Sequence, residues 1–341
     1  MKNGLIISLV LLCIAASNIT KHYPNYFPKP NYELNFSSNT YDLTQLGRAL
    51  FYDPILSANN TISCASCHSP YNSFAHTDHA LSHGIHDSIG KRNAPALINL
   101  AWQKELMWDG AINHLDVQAL APITHPGEMA ESIENVIDKL QNNKLYPPLF
   151  KKAYGNSLIN SQRMLKALTQ FQLTLISDNS KYDKVRQSED IFSVQENKGY
   201  KLFLKHCNSC HTEPLFTNYK FENNGLSIDS QSMDLGRFNI TKISKDSMKF
   251  KVPTLRNVGY TYPYMHDGRF KKLSSVINHY TSVNKEYKYI SKELDHKILL
   301  SSNDKSDLIS FLITLNDRDF IFNPQNKFPR KILLQPREIS N

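Results

Sequence analysis

The pentapeptide Cys-x-x-Cys-His occurs twice in this 341-residue chain, as Cys64-Ala65-Ser66-Cys67-His68 and as Cys207-Asn208-Ser209-Cys210-His211. Each copy is a c-type haem attachment signal. The two thiols add across the haem vinyl groups, and the residue after them swings its imidazole onto the iron. Two CxxC pairs could instead build a four-thiolate zinc knot, and one pair alone a thiol redox centre. Neither alternative explains a histidine directly after both pairs. The expectation is two covalently bound haem c groups, on His68 and on His211.

Residues 1–17 read as a secretory signal, with Lys2 at the positive end, an apolar core from Leu5 to Ala16, and a small-residue cleavage pattern at Ala15-Ala16-Ser17. The apolar run is too short to span a bilayer comfortably, and no second candidate follows it. The remaining cysteine, Cys13, lies in this leader; bulky Leu12 before it disfavours lipid attachment. Covalent haem attachment also requires export, so leader and motifs agree on the periplasm or an equivalent space. The formal charge of +8 is dispersed, without a basic block. That charge suits a solvated surface or an acidic redox partner, and the compartment argues against nucleic acid.

One CxxCH motif sits near the front of each half of the mature chain. Residues 18–39, rich in Pro, Asn and Tyr, read as an extended arm or linker. Leu43, Leu46, Leu50 and Phe51 form one helical face ahead of the first motif. Ile133, Val136, Ile137 and Leu140 form another, as do Leu165, Leu168, Phe171 and Leu175, with Ser161 as N-cap. The polar stretch Asp178 to Asp190 reads as the domain boundary. Ser193-Val194-Gln195-Glu196 is a capping box that opens the helix leading to the second motif. A last helix uses Leu308, Phe311, Leu312 and Leu315, capped near Ser301 to Asp304. The fold expected is mostly α: two tandem cytochrome c-like domains with long haem-wrapping loops, at 40–185 and 190–325, and a tail at 326–341.

The surroundings of the motifs carry a resemblance. Leu46-Gly47-Arg48-Ala49-Leu50 running into Phe51-Tyr52-Asp53-Pro54, then Lys91-Arg92-Asn93-Ala94-Pro95, Leu106-Met107-Trp108-Asp109-Gly110 and Gly127-Glu128-Met129 resemble the bacterial di-haem cytochrome c peroxidase and MauG family. So do Lys251-Val252-Pro253-Thr254-Leu255-Arg256-Asn257 and Pro263-Tyr264-Met265-His266-Asp267-Gly268. The likeness covers roughly residues 40 to 320, in the family's order.

The resemblance implies roles. The His68 haem is the peroxide-reactive one, and Glu128 matches the distal acid that moves a proton from the near to the far oxygen of H2O2. Trp108 matches the tryptophan that relays electrons between the haems. Asn93, Thr261 and Pro263 match an inter-haem Ca²⁺ site of a side-chain amide and backbone carbonyls, oxygens that suit a hard cation. His83-Gly84 resembles the motif of a distal histidine that closes the first iron at rest; His76, His79 and His86 crowd the same loop, and the role of His83 stays open.

The second haem departs from the typical pattern. Typical peroxidases of the family place a methionine at a fixed spacing after the motif matched by His266, and that distance here reaches Tyr280. MauG-like members place tyrosine there. A phenolate stabilises ferric iron where a thioether favours ferrous iron, so with Tyr280 as ligand the potential should fall. Met265 and His279 remain alternative ligands.

The implied function is a periplasmic di-haem peroxidase reducing H2O2 to water with electrons from a small cytochrome c or copper protein. The alternative is a MauG-like oxidase modifying a protein or organic substrate through high-valent iron, and a third reading is a passive electron carrier. The sequence leaves oligomeric state open, a homodimer included.

Overall fold

The computed structural model describes residues 23–33, 40–283 and 288–334. Among these the chain is helical, with one two-stranded antiparallel ladder, Phe221–Glu222 against Phe250–Lys251. The leader, with Cys13, lies outside the described residues.

Two helix pairs organise the molecule, and they repeat one contact. The Thr40–Tyr52 helix crosses the Ser161–Leu173 helix at Gly47, where a Cβ would stand 1.8 Å from the Ala167 carbonyl oxygen. The Val194–His206 helix crosses the Ser302–Ile313 helix at Gly199, where a Cβ would stand 1.9 Å from the Asp307 carbonyl oxygen. In both pairs a phenylalanine, Phe171 or Phe311, closes the crossing. Only glycine lets the backbones approach so closely.

Around the first crossing a core gathers Leu46, Leu50, Phe51, Leu168 and Phe171, with the Ile133–Asn142 helix adding Val136 and Leu140. Around the second, Phe203, Phe216, Leu308, Phe311 and Leu315 form another. Burial of each such side chain is worth about 1.5–3 kcal/mol.

The capping box at Ser193 and Glu196 forms as read, and Ser301 makes a second with Asp304. The cap of the Ser161–Leu173 helix is Asn160 rather than Ser161: the Asn160 side chain accepts from the Arg163 N–H, a geometry that a residue already inside the helix cannot offer. Leu175 and Leu315 lie beyond their helices and are nonetheless buried.

Three segments outside the two helix pairs are packed against them. Residues 181–186 form a helix with Tyr182 and Asp183 buried, so the polar stretch 178–190 is itself packed. Within the arm, Phe27 is buried against Trp102 at 5.1 Å, and the Arg256 guanidinium lies 4.7 Å over the Phe27 ring. At the other end, Phe320 and Ile321 join the first core, and Arg48 donates to the carbonyls of Pro324 and Lys327. The chain after Leu315 therefore returns to the first half.

Candidate active site

Both CxxCH segments fold into the same turn. His68 N–H donates to the Cys64 carbonyl and His211 N–H to the Cys207 carbonyl, each at 2.9 Å. In each the imidazole is then fixed through Nδ1. His68 Nδ1 meets the Phe74 carbonyl at 2.6 Å; His211 Nδ1 meets those of Phe216 at 3.2 Å and Pro253 at 3.1 Å. The carbonyl partners assign the proton to Nδ1 and leave the Nε2 lone pair to a metal. Burial lowers both imidazoles to about 4, keeping them neutral, the metal-binding form.

The thiols fit haem attachment better than the alternatives. Burial pushes Cys64 and Cys207 up to about 12, away from the low values of a redox CxxC. The four described cysteines are free, and no group of three or more His, Cys, Asp or Glu converges as a metal site among the described residues. A four-thiolate knot joining the pairs is thus not what the fold builds.

The second motif opens on a cleft enclosing about 1380 Å³ of atom-free space, mouth included, lined by Cys207, Cys210, His211, Trp108, Met265 and Tyr280 among mainly apolar neighbours. That shape and lining suit a haem. Tyr280 and Met265 both face it. Burial raises the Tyr280 phenol to about 12, while the Asn224 side chain opposes that rise. His279 does not line the cleft: its Nε2 meets the Asn224 carbonyl at 2.9 Å.

At the first motif the structure brings Cys67, His83 and Glu128 together. Cys67 Sγ lies 3.9 Å from the His83 carbonyl oxygen, and the Glu128 charge acts on the Cys67 thiol. Backbone bonds pin Glu128: its N–H donates to the His125 carbonyl at 3.0 Å, and its own carbonyl accepts from Ile85 N–H at 2.7 Å. The side chain is 46% exposed, with burial raising its pKa and His125, 3.9 Å away, opposing. His83 Nδ1 meets Asp87 Oδ1 at 2.5 Å, and its ring lies 4.7 Å from that of His79, which in turn stacks on His76 at 5.9 Å.

Trp108 stands on the seam between the halves. Its indole N–H donates to the Asn93 carbonyl at 2.8 Å, and its own carbonyl accepts from Lys251 N–H at 2.7 Å. Arg92 ties the loop across the seam, to Asp109 at 2.7 Å and to Asp234 at 2.5 and 2.8 Å. The buried Asn93 donates its amide to the Ala80 carbonyl at 2.9 Å, and its main-chain N–H donates to the His266 carbonyl at 2.7 Å, three residues beyond Pro263. The other tryptophan, Trp102, is core.

A profile of the di-haem cytochrome c peroxidase family matches residues 42–190. The methylamine utilization protein MauG of Methylophilus methylotrophus is 35% identical over 284 residues, covering 81% of this chain and 83% of its own. The chain belongs to the di-haem cytochrome c peroxidase family. The cytochrome c551 peroxidase of Nitrosomonas europaea is 34% identical over 241 residues, 69% of this chain and 72% of its own. The solved structure of a MauG-like protein associated with microbial copper homeostasis superposes with a TM-score of 0.81 at 30% identity, covering 90% of this chain and 98% of that one. As a family member the protein is an oxidoreductase of the peroxidase type with two haems.

One feature of this di-haem protein escaped the reading of its sequence. Leu106-Met107-Trp108-Asp109-Gly110-Ala111-Ile112 and Tyr264-Met265-His266-Asp267-Gly268-Arg269-Phe270 are two copies of one loop. Each closes with a bridge, Leu106 to Ile112 and Tyr264 to Phe270. Each puts its methionine and glycine at positive φ, 66° and 74° in one, 75° and 68° in the other. Trp108 and His266 hold equivalent places, and each gives its carbonyl to the opposite half, to Lys251 and to Asn93. The spacing Met-x-Asp-Gly was visible in both halves and could have revealed the repeat.

Proposed function

We propose that the protein is a periplasmic di-haem c-type peroxidase, converting H2O2, two electrons and two protons into two waters. Thioether bonds from Cys64 and Cys67, and from Cys207 and Cys210, would hold the haems, with His68 and His211 as proximal ligands. Bound at His68, the haem supplies an iron able to pass electrons to peroxide.

The observation that carries this reading is the place of Glu128, pinned by its backbone against the His83–Gly84 loop, whose His83 carbonyl meets Cys67 Sγ. A carboxylate there can take a proton from one peroxide oxygen and deliver it to the other, which favours heterolytic cleavage. Burial raises its pKa, which strengthens it as a base. Trp108, on the seam and in the wall of the second cleft, is suited to relay electrons from the His211 side. Asn93 spends its amide N–H on Ala80, so its carbonyl oxygen is the atom offered to a Ca²⁺ shared with the Thr261 and Pro263 carbonyls. A small cytochrome c or copper protein would feed the second haem.

A second reading has its own support. Tyr280 lines the second cleft, as an oxygen ligand to iron would, and favours a MauG-like oxidase acting on a protein or organic substrate. Peroxide consumption with a reduced small cytochrome separates the two: rapid cytochrome oxidation supports the peroxidase, and peroxide bleaching of the haem spectrum without cytochrome turnover supports the oxidase. Absence of any peroxide reaction overturns both and leaves an electron carrier.

A further inference from the structure

We infer that Tyr182 and Tyr200, joined through Glu213, form a redox-active tyrosine pair that supplies electrons, one at a time, to the second haem once peroxide has oxidised the protein. The inference goes beyond the peroxidase reading and takes one element from it, that peroxide leaves oxidising equivalents at the haems.

Two phenols meet on one carboxylate. Tyr182 OH donates to Glu213 Oε1 at 2.6 Å, and Tyr200 OH reaches Oε1 at 3.0 Å and Oε2 at 3.2 Å. Tyr182 is buried, whereas Tyr200, on the Val194–His206 helix, is half-buried. One ring is therefore interior and the other stands nearer the surface. Another phenol–carboxylate pair, Tyr146 with Asp53 at 2.7 Å, lies in the first core. There the second carboxylate oxygen is taken by the Ile55 N–H instead of a second phenol.

The pair sits against the second CxxCH motif. Glu213 follows His211 by two residues, and its N–H donates to Asn208 Oδ1, inside the motif, at 3.2 Å. The Tyr182 ring meets the Phe216 ring edge-on at 4.7 Å, and the Phe216 carbonyl meets His211 Nδ1 at 3.2 Å. Tyr182 thus packs on the very residue that orients the proximal imidazole. Phe311, also buried, lies 5.0 Å from the Tyr200 ring and 6.5 Å from that of Tyr182, keeping this side of both rings dry.

A phenol that loses an electron becomes a strong acid, so its proton must leave with the electron. The Arg256 guanidinium, 6.0 Å over the Tyr182 ring, opposes a ring left positively charged. Glu213 is within the reach required of a base. One electron passes from Tyr182 to the haem side, the phenol O–H bond breaks, and an O–H bond forms on Glu213. A neutral phenoxyl remains. Glu213 can then return that proton to Tyr182 as an electron arrives from Tyr200, whose own proton replaces it on the carboxylate. The vacancy moves outward by one ring with no net change at Glu213. An external one-electron reductant fills it at Tyr200, and the proton on Glu213 restores the phenol.

The test mixes haem-loaded protein with H2O2, without a donor, and freezes it for EPR; the protein is made with ordinary and with ring-deuterated tyrosine. The wild type should give an organic radical whose spectrum narrows on deuteration. Tyr182→Phe with Tyr200→Phe should abolish it, and Tyr146→Phe should leave it in place. Glu213→Gln keeps an acceptor oxygen but cannot take the proton, so the radical should form about 10²-fold more slowly. A tyrosine radical that survives in the double variant, or peroxide that changes the haem spectrum with no tyrosine radical, overturns the inference while the peroxidase reading stands. A haem spectrum that peroxide does not change overturns both. If the double variant does not fold, Tyr200→Phe alone should keep the radical and lengthen its life in the presence of ascorbate; an unchanged lifetime counts against the inference.

Discussion

Gly84 lies against Glu128 so closely that a Cβ on Gly84 would stand 2.7 Å from the Glu128 Cα and 2.1 Å from the Gly127 carbonyl oxygen. The loop carrying His83 and the segment carrying the proposed acid are therefore one surface. Gly84→Ala must push Glu128 aside, and misplacement of about 1 Å can cost about 10²-fold in rate. Peroxide turnover should fall by about that factor while gels still show both haems attached. Full activity in Gly84→Ala would mean that the position of Glu128 does not matter.

Asp183 and Arg256 form a wholly buried pair, with both guanidinium contacts at 2.8 Å, and Tyr26 of the arm adds a hydrogen bond at 2.8 Å. Arg256 holds the Asp183 carboxyl below its ordinary range, against the opposing pull of burial. Asp183→Ala leaves a buried cation without its partner, which costs about 3–5 kcal/mol. Denaturant unfolding should report a loss of that size. A change below about 1 kcal/mol would show that the joint between the halves adds little to stability.

Lys251 gives a pH signature. Burial lowers its ammonium from the usual 10.5 to about 7, and its Nζ donates to Gln103 Oε1 at 2.7 Å and the Glu105 carbonyl at 2.8 Å, both neutral acceptors. A lowered folded-state value means that the unfolded chain binds more protons between these two pH values. Stability from this residue therefore rises from pH 7 towards 10.5 and is least below pH 7. Thermal unfolding of Lys251→Met against wild type should show a difference most favourable to the variant at pH 6 and shrinking by pH 9. A difference independent of pH would contradict the buried ammonium.

Tyr280→Met tests the second reading of function. A neutral thioether stabilises ferrous iron relative to a phenolate, so the potential of the His211 haem should rise in spectroelectrochemical titration. An unmoved potential would take Tyr280 off the metal.

How much of this was legible depended on whether the signal was local. The capping box at Ser193, the cap near Ser301 and the helical faces around Leu46 and Phe311 are written in adjacent residues, and they fold as read. What escaped were segments whose partners are distant in sequence. Phe27 is buried because Trp102 and Arg256 meet it, and Phe320 because Phe74 does, at 6.1 Å. The polar stretch 178–190 read as a domain boundary, and within it Asp183 is buried because Arg256 compensates its charge from 73 residues away.

The most direct test of the account is the rate at which peroxide changes the haem spectrum, followed by stopped flow in wild type and in Glu128→Gln. The substitution preserves size and removes the group that accepts a proton. The account predicts intact resting spectra and a rate constant lower by about 10²- to 10⁴-fold, the range expected of a general acid–base group. Equal rate constants in the two proteins would contradict it.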